Sequence, residues 1–195
     1  MACKMLFVFL ASLLLLSISP CVSENVTVSV YYETLCPYCA DFVVNHLVKL
    51  LQNGLSSIVN LRMIPWGNAL IQPDGTFVCQ HGPGECMLNT IEACTVAIYR
   101  SSISILSIVN GYGKQLEQKC AAETAQLNPP HRFVPWVVVN NQPLQEDFMN
   151  IVSYVCKAYR GTRLPEACRS LSEWKSLPKN SDSTNSVCYA GEETN

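Results

Sequence analysis

Apolar and polar positions along this chain fall into a few clear periods. Val26, Val28, Val30 and Tyr32 alternate with Thr27, Ser29 and Tyr31, the two-residue period of a strand over 26–33. From 37 to 52 the period lengthens: Val43, Leu47, Leu50 and Leu51 share one helical face, and Asn53-Gly54 supplies a stop. Alternation returns over about 58–64, where Val59, Leu61 and Met63 oppose Asn60 and Arg62, before Pro65-Trp66-Gly67-Asn68 opens a loop. A helix is predicted from about Met87 to Tyr99, and another over 114–126, ended by Pro129-Pro130. The serine-rich apolar stretch 101–110 fits neither period. Val134 to Val139 reads as a strand entered through Pro135, and its three successive valines predict burial on both faces. Asn140-Asn141 turns it toward a short partner, and 145–159 forms the last predicted helix. The chain from Gly161 is polar, and 176–186 has the composition of a flexible segment.

A strand, a helix and a second strand make a βαβ unit with parallel strands, closed here by a late hairpin and a helix. The fold class is α/β, with a helical, cysteine-rich insertion at about 68–130. The length, 195 residues, fits one domain. Its first 23 residues have the order of a secretory signal peptide: a basic start, the apolar run 5–18, then Pro20 and small residues. A mature chain from Glu24 follows, with a domain over 24–160 and a polar tail over 161–195. No later stretch is long and apolar enough to span a bilayer, so no membrane contact is expected after cleavage. The formal net charge of −2, without a basic run, argues against nucleic acid as a partner. Asn25-Val26-Thr27 is a glycosylation sequon, useful to a chain that enters the secretory lumen.

Eleven cysteines are present, and Cys3 and Cys21 leave with the signal peptide. The nine that remain suit an oxidising compartment. Their odd number leaves at least one thiol free, or available to link a dimer. Cys36-Pro37-Tyr38-Cys39 sits where the first strand turns into the first helix. There the free N–H groups and dipole of the helix favour a thiolate at Cys36, while Pro37 fits the first turn. Cys39, one turn on, is placed to resolve a mixed disulfide formed on Cys36. The pattern alone also fits a plain disulfide or half of a zinc site, and His81 between Cys79 and Cys86 leaves a Cys/His site open.

Two further stretches sharpen the picture. Val134-Pro135 resembles the loop that faces the CxxC of thioredoxin-like proteins, where the proline is cis and a substrate pairs with exposed backbone. Cys79-Gln80-His81-Gly82, Glu85-Cys86, Asn89 and Cys94 match every fixed position in the signature of the gamma-interferon-inducible lysosomal thiol reductase family. The resemblance takes in Cys36-Pro37-Tyr38-Cys39, Pro65 to Ala69, and Pro129 to Asn140, and extends to Cys156, Cys168 and Cys188. Between Cys94 and Gly111 the chain is shorter than that family usually is.

The resemblance implies a thioredoxin-like fold and a reductase of protein disulfides in an acidic compartment, lysosome or vacuole, or outside the cell. Cys36 would be its nucleophile and Cys39 its resolving thiol. Residues 79–94 would be mainly structural, with His81 either a loop hydrogen-bonder or a tuner of Cys36. No bound cofactor is implied, only an external small thiol as reductant. A glutaredoxin, a secretory oxidase or isomerase, and an inert disulfide-stapled binding protein are the competing readings. The first is opposed by the signal peptide and by the 79–94 signature.

Overall fold

The computed structural model describes residues 25–101, 112–173 and 186–191. The signal peptide, most of 101–110 and most of 176–186 therefore lie outside the described residues.

The core is a four-stranded sheet in the order β2-β1-β6-β7. Strand β1 (Val26–Tyr32) runs parallel to β2 (Val59–Pro65), from Val26 opposite Val59 to Tyr32 opposite Pro65. It runs antiparallel to β6 (Trp136–Val139), which pairs in turn with β7 (Gln142–Pro143). The expected βαβ unit and late hairpin are both present, and the fold is of mixed α/β class. Successive strand residues face opposite sides. On one side Ser29 and Tyr31 meet Arg62 and Glu123: Tyr31 donates to Glu123 and Arg62 pairs with it at 2.7 Å. Val28 and Val30 lie in the main core with Phe42, Phe148, Ile151 and Val155.

Helix α1 (Pro37–Asn45) starts directly after Cys36. The single helix expected over 37–52 breaks at His46, and a 3-10 turn takes Leu47–Leu51. In a 3-10 turn, residues three apart eclipse, so Leu47 and Leu50 both reach the core while Leu51 is exposed. The strand expected over 134–139 is also two pieces. Pro135 offers no N–H to a ladder, so β5 (Phe133–Val134) ends there and β6 begins beyond it. Val137 and Val139 are buried, whereas Val138 is only partly so. The last helix is shorter than 145–159. A 3-10 segment (Gln145–Asn150) precedes α4 (Ile151–Ala158), because the Asp147 carboxylate takes hydrogen bonds from Asn150 and Tyr154 and leaves helical geometry itself.

The insertion contains a hairpin that periodicity did not predict, β3 (Leu70–Ile71) with β4 (Phe77–Val78), turned at Gly75. Trp66 and Phe77 meet edge to face beside it, 5.4 Å apart. Helix α2 (Pro83–Ser101) begins four residues before the expected start at Met87, since a proline at the first helical position loses nothing. Helix α3 (Gly113–Ala125) packs against it. The two meet closely at Gly113, where a Cβ would lie 2.8 Å from Thr90 and 3.3 Å from the Cys94 sulfur.

Among the described residues after Gly161, two pieces form regular structure where a polar tail was expected. Glu166–Glu173 forms α5, tied to α4 by the Cys156–Cys168 disulfide. Cys188–Tyr189 forms β8 and returns to pair with β5. Among the described residues no helix is long and apolar enough to cross a membrane.

Candidate active site

The site lies where β1 hands over to α1. Cys36 caps α1 with extended backbone, and Pro37 occupies the first turn. The turn is fastened from outside: the Asn89 side-chain oxygen accepts from the Thr34 backbone N–H at 3.1 Å and from its hydroxyl at 2.9 Å. Cys39 follows inside the helix, and both sulfurs are buried.

Cys36 and Cys39 are not bonded to each other. The Cys36 sulfur bonds Cys188, which returns from 152 residues away, and Cys39 is a free thiol. The expected redox pair is therefore open, and Cys36, its expected nucleophile, is covered by an extended segment of the same chain. Periodicity and spacing could not show this, because no local pattern links residues so far apart.

That segment lies on β5. Val134 stands opposite Cys188 and Phe133 opposite Tyr189, so the loop expected to receive a substrate backbone receives this one. The Val134–Pro135 bond is cis, as its resemblance implied. The Ala190 N–H donates to the Arg132 carbonyl at 3.2 Å, and the Phe133 and Tyr189 rings meet edge to face. From the other side, the Asn68 amide donates to the Cys188 carbonyl at 3.1 Å and the Gln80 amide to the Tyr189 carbonyl at 2.8 Å. Asn68 also donates to Gln80, at 2.8 Å.

The motif at 79–94 builds this wall. Cys79 and Cys86 bond each other, closing a short loop that presents Gln80 and His81. With both sulfurs in that disulfide, they are not available as thiolate ligands to zinc. His81 is drawn inward by Glu85, 2.5 Å from its Nδ1, with Glu33 at 3.5 Å. Its Nε2 lies 3.8 Å from the Cys188 sulfur, so His81 belongs to the site and stands beside the partner sulfur of Cys36. Cys94 is a buried free thiol in the α2–α3 packing, and Cys120 is a third free thiol.

Glu33 was not singled out by sequence. Its carboxylate is fully buried, accepts from the Asn68 backbone N–H at 2.6 Å, and has an oxygen within 4.8 Å of the Cys36 and Cys188 sulfurs. Burial, with Glu85 adding to it, pushes its pKa up to about 8. Burial likewise raises the Cys39 thiol well above its ordinary range. Cys39 borders a cleft that Glu33, Val43, Met63 and Glu92 also line. Glu33 carries a weak signal in hindsight, an acidic residue ending a buried strand three positions before a CxxC.

Sequence comparison decides the family. The model of the gamma interferon inducible lysosomal thiol reductase (GILT) family matches residues 27–126. The chain belongs to the GILT family. A gamma-interferon-responsive lysosomal thiol protein of Arabidopsis thaliana is 33% identical, over 89% of this chain and 88% of its own length. The gamma-interferon-inducible lysosomal thiol reductase of Mus musculus is 32% identical, over 86% of this chain and 77% of its own. That of Carassius auratus is 35% identical, over 75% and 73%. The GILT match spans both the Cys36–Cys39 turn and the wall built by 79–94.

Proposed function

We propose that this chain is a thiol–disulfide reductase with a thioredoxin-like active site, in which Cys36 attacks protein disulfides and Cys39 resolves the product. Family membership supports the reaction class. The observation that carries the roles is the state of the two sulfurs: Cys36 at a helix start is joined to an extended segment, and a free thiol waits one turn on.

The chemistry balances as two exchanges and a reset. The Cys36 thiolate attacks one sulfur of a substrate disulfide, forming a mixed disulfide and expelling the other sulfur as a thiolate. The Cys39 thiolate then attacks the Cys36 sulfur and expels the remaining substrate sulfur. The resulting Cys36–Cys39 disulfide is reduced by two molecules of an external small thiol, which leave as their own disulfide. No bound cofactor takes part in this scheme.

Glu33 suits such chemistry at acidic and at neutral pH. Below about 8 it is neutral, so it does not repel a thiolate at Cys36 and holds a proton close to the departing sulfur. A lysosome, vacuole or acidic extracellular space is supported by the lysosomal names of the relatives and by the signal-like first 23 residues. Asn25 is exposed, as a glycosylated asparagine must be. A disulfide-linked dimer has weaker support, since the free thiols among the described residues are buried or half-buried.

The test offers a disulfide-bonded protein and a small thiol to the chain from Glu24, and to its Cys36→Ser and Cys39→Ser variants, at about pH 5 and pH 7. Turnover by the parent that is greater at about pH 5, and none by Cys36→Ser, is the expected result. Turnover that survives Cys36→Ser would contradict the assignment.

A further inference from the structure

The contacts around Cys188 reach further than a disulfide needs. Val187 and Cys188 are buried, whereas Tyr189 is half exposed with its ring against Phe133. The segment meets the rest of the site through backbone: antiparallel pairing with β5, and its two consecutive carbonyls, of Cys188 and Tyr189, taken by Asn68 and Gln80. Side-chain amides that donate to backbone carbonyls recognise an extended chain whatever its sequence. They also set its register, placing the residue opposite Val134 against Cys36. Exposed Leu35 and Tyr38 flank the nucleophile.

We propose that Asn68 and Gln80 form a backbone clamp for an extended, cysteine-centred peptide, and that residues 187–190 of this chain occupy that site as an internal mixed disulfide. The inference rests on the reductase reading above. The ligand class is an unfolded or locally extended segment with its cysteine opposite Val134, and an apolar residue before and an aromatic one after are favoured. The resting chain is closed by its own occupant. It opens when Cys39 attacks the Cys36 sulfur: the Cys36–Cys188 bond breaks, a Cys36–Cys39 bond forms, and Cys188 leaves as a thiolate that takes up a proton. An external small thiol then reduces Cys36–Cys39 and the site is free for substrate.

Two readouts test the clamp. In the first, the chain from Glu24 with Cys188→Ser receives the peptide Ser-Val-Cys-Tyr-Ala-Gly, its cysteine bonded to thionitrobenzoate, and separately the small disulfide dithiobis(nitrobenzoate). Adding Asn68→Ala or Gln80→Ala should lower the ratio of kcat/KM for peptide over small disulfide about fivefold each, the effect of one lost hydrogen bond. Asn68→Asp, which keeps the size but replaces the donor with an acceptor, should do at least as much. In the second, Cys188 is retained and Cys39 is replaced by serine, and the ratio of reduced to oxidised dithiothreitol that makes half of Cys36 alkylatable should fall about fivefold in the same variants. An unchanged midpoint in all three overturns the clamp. A shifted midpoint with unchanged selectivity overturns the substrate site, since Asn68 and Gln80 would then hold only this chain's own segment. If the Cys188→Ser chain reacts with neither disulfide, the reductase reading fails, and the midpoint still judges the clamp.

Discussion

Glu33 keeps its proton to about 8 in the fold, against 4.5 when free, because it is buried and faces Glu85. A raised folded pKa means that the folded chain binds a proton the unfolded chain has lost. Its contribution to stability is therefore complete below about 4.5 and fades as pH rises through about 8. Urea midpoints of the parent should fall between about pH 5 and pH 8.5, and Glu33→Gln should flatten that fall. Equal slopes for the two proteins would remove Glu33 as its cause. Gly67 guards the same carboxylate. With φ at +60°, a Cβ there would lie 2.4 Å from the Glu33 side chain. Gly67→Ala should cost about 2 kcal/mol and lower Tm by roughly 4–8 °C, read by thermal unfolding.

At the scale of elements, α4 and α5 are held together by Cys156–Cys168, which closes a short loop and bonds neither sulfur of the CxxC. Replacing both with serine should cost about 2–3 kcal/mol of stability, and kcat/KM should stay within about twofold below the new melting point. A loss of turnover with the fold intact would place α5 in the mechanism. Elements of long, clean period were legible in the sequence. Val26 to Tyr32 was read within a residue of β1, and 114–126 within a residue of α3, because alternation and helical spacing report burial directly. Breaks within elements were harder. The bend at His46 and the 3-10 turn before Ile151 depend on local backbone geometry that apolar spacing does not record. The CxxC was legible as a site because strand, proline and helix start coincide there. His81 could be named but not placed: its neighbours Glu33 and Cys188 arrive from opposite ends of the chain. Asn68 and Gln80 were legible only as motif letters, since their work is to touch a segment over a hundred residues away.

For the whole molecule, the return of Cys188 changes what a trapping experiment can show. With Cys39 removed, no neighbouring thiol is left to open the Cys36–Cys188 bond, so Cys36 stays closed and offers no thiolate to a substrate. Cys39→Ser alone should therefore trap substrate poorly, and Cys39→Ser with Cys188→Ser should trap it fully. In the proposed scheme Cys36 has two partner sulfurs, Cys39 for turnover and Cys188 for the closed resting state. The most direct measurement is peptide mapping of the double variant after exposure to a disulfide-bonded protein at about pH 5. The account predicts one substrate chain held covalently, and its cysteine on Cys36. Substrate attached at Cys94 or Cys120 with Cys36 unmodified would contradict it.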